Sequence, residues 1–597
     1  MIKVSDYIAN FIANTGVRHV FSLAGGQIMH IMDSINQNER LKYVPALHEQ
    51  AVAMMAEAYS RATNNYGVCL LTTGPGATNA MTGLASAWYD STPCMFISGQ
   101  FRVELLPNGK KVRQTTLQQT LPIDFVKPLT KYAELVVDAH DIRYHLEKAL
   151  FLSKSGRPGP VWLDIPLDIQ GATVNENDLR AFIPDQEIDF KFPNISADIE
   201  RCISLIKESK RPVLFVGNGV RLAGAISDFR LLVEKLGIPV LTSINGIDLI
   251  ENDHPLFMGR PNYWGQRHAN FIIQNSDLLL SIGSGLHLEI TGYNHQAFAR
   301  AAKKIIVDID RAELEKDTVI PDLGICVDAG DFMRQLAGVY QVDKMQFQEW
   351  MSYCNNLKKK YPIIIEAFQN PKQGLNPFVF TDALSDELDE GEIVIPGNAG
   401  THFTTCVQSF KVKKGQRVFS EIGIGAMGHS LPSSIAASLA NDGKRVICIT
   451  GDGGIQLNIQ ELQTVIANKL PIKIFIADNN GYMSLKNTQA NYFKGRMTGC
   501  TAESGLKLPN MEKISQAYGF KTNVIKNHEE MRQKIRENLS HNGPFVSIVK
   551  YDPDAILQPR LSSKMLPNGN MVSSPLEELS PFLPQAEFEA NMLIDPL

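Results

Sequence analysis

The sequence predicts an α/β fold of three doubly wound parallel-sheet domains followed by a C-terminal tail. Three observations carry that prediction. A chain of 597 residues, 44% of them hydrophobic, exceeds what one core can serve, because domains run to roughly 100–200 residues. Short β-rich runs alternate with helix-period stretches from end to end, the rhythm of βα units on parallel sheets. Polar, proline-bearing breaks near 180 and 370 cut that rhythm into three blocks.

The first block, residues 1–180, runs through VRHVFSL, GVCLLTT, CMFISG and PVWLDIP and ends in the break NENDLRAFIPDQEIDFKFPN (175–194). The second, 195–340, holds PVLFVG, PVLTSI, DLLLSIG and KIIVDID. A charged helical linker, 341–375, leads through NPKQGLNP into the third block, 376–555, with EIVIPG, RVICIT, IKIFIAD and FVSIVKY. Residues 556–597 are rich in Pro and Ser and read as an irregular tail, with the open question of whether it drapes over a site. No short-period repeat occurs, and no kinship between the first and third blocks is visible in the letters.

Composition removes several classes of function. Against 63 Asp+Glu stand 58 Lys+Arg, a net charge of −5 with no basic block to follow a phosphate backbone, so no nucleic-acid partner is expected. The N-terminus MIKVSDYIANFIANTG is amphipathic and no run of 18 apolar residues occurs, so the expectation is a cytoplasmic protein without a membrane span. The 8 cysteines are scattered, with no Cys-x-x-Cys pair, and indicate neither a zinc site nor a disulfide frame.

The chemistry concentrates at residues 451–485. RVICIT reads as a buried strand, and Ile455, Ile459, Leu462 and Val465 then recur at helical spacing. Gly451, Asp452, Gly453 and Gly454 therefore form a strand-to-helix turn. Glycines there admit a ligand close to the backbone, and the N–H groups of a helix start attract phosphate oxygens. The next strand, IKIFIA (472–477), ends at Asp478-Asn479-Asn480-Gly481, and adjacent parallel strands deliver their C-terminal ends to one edge. Side-chain oxygens of Asp452 and Asn479, a carbonyl near Gly481, two phosphate oxygens and a water would complete the octahedral shell that Mg²⁺ prefers. Either segment alone is an ordinary turn. Both, across one strand–helix–strand unit, predict a diphosphate–magnesium site.

This layout resembles the signature of thiamine-diphosphate-dependent enzymes, Gly-Asp-Gly followed one such unit later by Asn-Asn. The resemblance implies Asp452, Asn479 and the Gly481 carbonyl as metal ligands, with Gly451, Gly453, Gly454 and Met483 against the cofactor. Asp478 departs from the signature, standing where the first Asn is usual. The stretch ALHEQAVAMMAEAYSRATNNYGVCLLTTGPGATNA (46–80) is similar to the pyrimidine-binding domain of the acetolactate (acetohydroxyacid) synthases, and Glu49 matches the glutamate that bonds the cofactor's pyrimidine ring. IGIGAMGHSLPSS (422–434) matches the segment that wedges the cofactor, implying Met427 as the wedge and the Gly425 carbonyl as a pyrimidine contact. GNAGTHF (397–403) matches the loop over the diphosphate, which places Gly400, Thr401 and His402 there. Gln118, in TTLQQTLP, matches the first member of a Gln-Glu pair lining the reaction pocket, with Gln119 in place of the Glu.

By the same resemblance, residues 1–180 are the pyrimidine-binding domain, 195–340 a middle domain and 376–555 the diphosphate- and Mg-binding domain. In this family the pyrimidine domain of one subunit faces the diphosphate domain of another, which implies a homodimer or homotetramer. PVLFVGNG, FMGRPNYWG and VDID resemble the FAD-binding middle domain, so FAD is a candidate third cofactor. Two positions depart from the synthases on the acceptor side. Gly285 stands where they carry an Arg that meets the second keto acid's carboxylate, and Thr488 where they carry a Trp.

The function expected is therefore a thiamine-diphosphate-dependent carboligase. It would decarboxylate a 2-keto acid, pyruvate being the expected donor, and transfer the acyl-anion unit to an acceptor carbonyl such as a keto-sugar or ketone. The alternatives are acetolactate synthase, acting on two pyruvates, and a 2-keto acid decarboxylase or lyase. A nicotinamide dehydrogenase fits less well, because neither GNGVRLAG nor SLAGGQ completes Gly-x-Gly-x-x-Gly. A non-catalytic relative should have lost Glu49 or Asp452, and both are present.

Overall fold

The structure, a computed structural model, describes residues 1–107, 111–184, 194–340, 346–565 and 571–597. Part of the break at 175–194, the start of the linker and the middle of the tail thus fall outside the described residues.

Three parallel sheets organise the chain. The N-terminal sheet has six strands in the spatial order Lys42–Pro45, His19–Ser22, Gly67–Leu71, Cys94–Gln100, Val161–Pro166 and Tyr132–Leu135. The C-terminal sheet also has six, ordered Arg417–Val418, Ile393–Pro396, Val446–Gly451, Ile472–Asp478, Phe545–Lys550 and Lys521–Ile525. With strands counted along the chain within each sheet, both read 2-1-3-4-6-5, so the kinship of first and third blocks is explicit in topology. The five-stranded middle sheet, Val240–Thr242, Pro212–Val216, Leu278–Ile282, Lys303–Asp308 and Leu323–Cys326, reads 2-1-3-4-5. Each sheet reverses its winding between its first and third strands, where a crevice opens at the strands' C-terminal ends.

The strands are near-continuous apolar runs because helices cover both faces of each sheet. Val446 to Thr450 and Ile472 to Ala477 are buried throughout. The buried helix Glu49–Thr63 joins the N- and C-terminal domains: it packs on helix Ser430–Ala440, and one apolar core runs from Val20 and Val52 through Ile435 to Ile474. It lies so close to its own sheet that a Cβ at Gly67 would stand 1.8 Å from the Ala56 carbonyl oxygen.

The tail docks on the middle domain. In helix Arg267–Asn275 every residue is buried, its polar ones included, because they receive the tail. Asn270 Nδ2 donates to the Leu576 carbonyl at 2.9 Å, Gln274 Nε2 to Glu577 at 2.6 Å and Asn275 Nδ2 to the Asn591 carbonyl at 2.9 Å. Arg300 pairs with the buried Glu577 at 2.7 Å. Among the described residues no helix is long and apolar enough to cross a membrane.

Candidate functional site

In the C-terminal sheet the first strand, Ile393–Pro396, lies beside the third, Val446–Gly451, and their C-terminal ends frame the crevice. On one side Gly400, with φ of +81°, starts helix Thr401–Ser409. Opposite stand Gly451, Asp452, Gly453 and Gly454. His402 fills the gap between the two: a Cβ at Gly397 would meet its Nε2 at 2.3 Å, and one at Gly451 its Cε1 at 3.0 Å. Burial holds the His402 imidazole down to a pKa of about 4, so it is neutral near pH 7. Gly453 is required by Tyr482, whose ring Cε1 would lie 2.2 Å from an added Cβ.

The chain after Gly454 differs from the predicted helix. A 3₁₀ turn, Ile455–Asn458, comes first, and the α-helix starts only at Glu461 and runs to Ala467. Ile455 and Ile459 keep helical spacing because a 3₁₀ turn feeding an α-helix presents the same face. The α-helix expected to start directly after the GDGG turn thus begins one 3₁₀ turn later, and the turn's own N–H groups and helix Thr401–Ser409 remain as anion donors.

Asp452 is the hub. Its Oδ1 accepts the Gly453 N–H at 2.8 Å, and its Oδ2 those of Asn479 at 3.2 Å and Gly481 at 3.3 Å. Burial, aided by the neighbouring Asp478 charge, raises its pKa to about 6. Asn479 Nδ2 reaches Thr401 Oγ1 at 3.5 Å, while its Oδ1 is buried without a hydrogen-bond partner. A buried carboxylate short of compensating charge beside an orphaned amide oxygen suits a hard, oxygen-seeking cation. Among the described residues no three His, Cys, Asp or Glu side chains are grouped to hold a metal unaided. A cation here thus depends on oxygens brought by a ligand such as a diphosphate. Gly481, at φ +145°, has no room for a Cβ, which would stand 2.2 Å from the Cys500 carbonyl oxygen. Met483 is buried, its Sδ 3.4 Å from Thr401 Oγ1. Asp478 is ion-paired with Lys550.

Sequence reasoning missed the residue that shapes the loop of Gly425 and Met427. Buried Glu421 gathers the N–H groups of Ile424 at 2.6 Å, Gly425 at 3.2 Å and Ala426 at 2.8 Å, together with Asn398 Nδ2 at 2.8 Å. The preceding turn is held from the N-terminal domain: Asp90 accepts from the Ile422 N–H at 2.9 Å and the Gly423 N–H at 3.1 Å. Asp90 is itself paired at 2.5 Å with buried Arg61, whose Nη1 donates to the Ser420 carbonyl at 2.7 Å. Met427 is half-buried on this loop, and Gly425 takes φ +63°. The only sequence signal was an acid directly before a Gly-rich run.

Glu49 opens helix Glu49–Thr63, is 6% exposed, and accepts from Asn79 Nδ2 at 3.0 Å. Gln118 lies on the N-terminal domain with an exposed side chain. Its neighbour Gln119 turns inward and is consumed: it accepts from Thr115 N at 2.8 Å and donates to the Leu105 carbonyl at 3.0 Å. The structure brings the Asp452, Asn479, Gly481, Thr401 and Met483 group together; no hydrogen bond within the chain links Glu49 or Gln118 to it among the described residues.

At Gly285, where the synthases are expected to carry an Arg, the backbone carbonyl receives Lys316 Nζ. Lys316 is paired with Glu313 at 2.9 Å, and Arg157 binds the same Glu313 at 2.9 Å and Asp310 at 3.2 Å. Thr488 is exposed, its hydroxyl donating to the Ser484 carbonyl at 2.9 Å. In the middle domain Gly217 and Gly219 are occupied by packing: added Cβ atoms would lie 2.3 Å from the Gly283 oxygen and 2.6 Å from the Gly283 Cα.

Comparison with known proteins matches all three sheets. Residues 2–126 match the thiamine pyrophosphate enzyme N-terminal TPP binding domain, 199–336 the central domain of the same enzymes and 398–549 their C-terminal TPP binding domain. The chain is 32% identical over 556 residues to Acetolactate synthase 3, chloroplastic, of Brassica napus, spanning 91% of this chain and 83% of that one. It is 32% identical over 556 residues to the chloroplastic acetolactate synthase of Arabidopsis thaliana, spanning 91% and 80%. To the acetolactate synthase large subunit of Cyanidium caldarium it is 32% identical over 560 residues, spanning 92% and 93%.

Proposed function

Because this chain belongs to the thiamine-diphosphate-dependent enzymes of the acetolactate synthase family, we propose that it is a carboligase that joins the acyl unit of a 2-keto acid, pyruvate first, to an uncharged acceptor carbonyl. When bound, thiamine diphosphate supplies the electron sink that lets a 2-keto acid lose CO₂ and pass on an acyl-anion unit. The side-chain oxygens of Asp452 and Asn479 and the Gly481 carbonyl would hold Mg²⁺; the orphaned Asn479 Oδ1 and the desolvated Asp452 support this assignment. N–H groups of Gly451 and Gly454 and the start of helix Thr401–Ser409 would receive the diphosphate oxygens, with neutral His402 as a further donor, while Gly453, whose own N–H is held by Asp452, keeps the turn open to the ligand. Glu49 would bond the pyrimidine ring and exchange a proton with it, and Gly425 and Met427 would orient that ring on the loop braced by Glu421 and Asp90. The exposed Gln118 amide faces the acceptor.

The observation that carries the acceptor assignment is Gly285. The synthases' carboxylate-reading cation is missing there, and Lys316 and Arg157 are neutralised by Glu313 and Asp310. A ketone or keto-sugar asks for no such cation, whereas a second keto acid does. A second reading, acetolactate synthase itself, is favoured by the relatives' names and the coverage of 91% of the chain. Mass spectrometry of products from pyruvate, alone and with aldehydes, ketones and keto-sugars, tests the choice. Acetyl adducts of a non-acidic acceptor should dominate; fast, efficient acetolactate formation from pyruvate alone would overturn the assignment, and aldehyde without any ligation would make the protein a decarboxylase.

We also propose a homodimer or a dimer of dimers. Leu47, Leu117, Ile424 and Leu457, beside Glu49, Gln118, Gly425 and the GDGG turn, are exposed apolar side chains, which supports coverage by a second copy. A flavin rests on the family resemblance alone, since Gly217 and Gly219 are explained by packing. The absorbance of the supernatant after denaturation decides it.

A further inference from the structure

Gln118 has a strained backbone and an idle side chain. Its φ is +65°, a conformation that costs a non-glycine residue about 1–2 kcal/mol and persists only where the surroundings enforce it. Its amide is exposed and makes no hydrogen bond among the described residues. The neighbouring groups do the holding. Gly74, at φ +69°, comes so near that a Cβ would stand 2.5 Å from the Gln118 carbonyl oxygen. The Gly74 N–H donates to Thr120 Oγ1 at 3.2 Å. From below, Gln100 Nε2 donates both to the Thr120 carbonyl at 2.8 Å and to Asp164 Oδ2 at 2.9 Å. Gln100 Oε1 accepts from the Phe101 N–H at 3.0 Å and Thr73 Oγ1 at 3.4 Å, so this fully buried amide is spent on both loops. Asp164 is fixed in turn by Ser98 Oγ at 2.5 Å, which receives Trp162 Nε1 at 2.8 Å.

We propose that Gln100 and Thr120 are positioning residues that impose the Gln118 backbone, and through it decide whether the acyl unit is ligated or released. Loss of CO₂ leaves an electron pair on the acyl carbon. In ligation that pair forms the bond to the acceptor's carbonyl carbon, the acceptor oxygen takes one proton, and the bond from the acyl carbon to the coenzyme breaks to free the product. In release the acyl carbon takes that proton instead, and the same bond breaks to free the aldehyde. A Gln118 amide held at the acceptor's oxygen favours the first outcome, and a wandering amide admits water and favours the second. Ser98, Trp162 and Asp164 anchor Gln100 to two adjacent strands, Cys94–Gln100 and Val161–Pro166, so the Gln118 loop inherits the rigidity of the sheet.

This inference rests on the assignment of Gln118 to the acceptor pocket, and the experiment separates the two. Holoenzyme carrying Thr120→Val, Gln100→Leu, Gln118→Ala or each pair with Gln118→Ala is given pyruvate, alone and with the preferred acceptor. Ligated product and acetaldehyde are quantified together with thiamine diphosphate affinity. The expected result is a fall of about tenfold in the ratio of ligation to release for Thr120→Val and for Gln100→Leu, with cofactor affinity unchanged and no further fall when either is combined with Gln118→Ala. A ratio unmoved by Thr120→Val and Gln100→Leu while Gln118→Ala lowers it overturns the positioning role; so do effects that multiply with Gln118→Ala. A ratio unmoved by Gln118→Ala removes Gln118 from the acceptor pocket, and the proposal with it. Thr120→Val keeps the test open should Gln100→Leu not fold, because Thr120 is only partly buried.

Discussion

Two carboxylates show how location assigns different work to one chemical group. Glu49 sits at a helix start with Asn79 as its one side-chain hydrogen-bond partner among the described residues, and the proposed function has it exchange a proton with the ligand. Glu49→Gln keeps the shape and the hydrogen bond but not the proton; turnover should fall by about 10²–10⁴ while thiamine diphosphate still binds, and steady-state rates beside a binding titration check it. Asp164, fully enclosed, meets Ser98 and Gln100 but no cation, and burial pushes its pKa up to about 7. Its folded value lies above its ordinary carboxylate value of 3.8, so the folded state keeps a proton that the unfolded state has lost. The stability this confers is complete below about pH 4 and drains away as pH rises through about 7. Asp164→Asn removes the titration. Its stability relative to the parent protein should therefore grow by about 1.4 kcal/mol per pH unit across that window, measured by denaturant unfolding of both at several pH values. A flat difference would show that Asp164 is ionised in the folded protein throughout.

At the scale of elements, the edges where strands end were readable and the bracing behind them was not. Runs such as VICIT and IKIFIA are apolar on both faces, so their ends at Gly451 and Asp478 stand out against the polar, glycine-rich turns that follow. The helix behind GDGG was misplaced because its apolar spacing does not distinguish a 3₁₀ turn from an α-helical one. Asp90, Gln100 and Asp164 carry no local signature, and Glu421 only that of an acid directly before a Gly-rich run. What each does depends on residues from other elements, as when Asp90 meets Ile422, and a linear pattern cannot show such a pairing. The turn itself yields a sharp expectation. Tyr482 packs where a Cβ of residue 453 would go, 2.2 Å from its ring. Gly453→Ala must push the ring or the turn aside at about 1–3 kcal/mol, seen as a loss of cofactor affinity of about tenfold or more with little change in the thermal midpoint. Unchanged affinity would mean that the turn does not touch the cofactor.

Over the whole molecule, two domains of identical strand order meet through helices Glu49–Thr63 and Ser430–Ala440, and the middle domain carries the tail. Glu49 and the Gly451–Gly454 turn, to which the proposed function gives the activating and diphosphate-binding roles, thus lie on the two copies of one architecture. Buried polar contacts tie them: against the cost of burial, Arg61 and, from the C-terminal domain, His429 hold the Glu57 carboxyl down to about 2, and Arg61 also pairs with Asp90 and donates across to the Ser420 carbonyl. On the proposed assignment the orphaned Asn479 Oδ1 awaits a cation, and among the described residues no three His, Cys, Asp or Glu side chains would hold that cation without the diphosphate. Binding of the two must therefore be mutually dependent. Calorimetric titration of thiamine diphosphate into the protein, with Mg²⁺ and with EDTA, for the parent chain and for Asn479→Ala, measures this directly. The account predicts tight binding with Mg²⁺ and affinity lower by at least about 100-fold in EDTA or in Asn479→Ala. Equal affinity with and without metal, or an Asn479→Ala protein that binds as tightly as its parent, would contradict it.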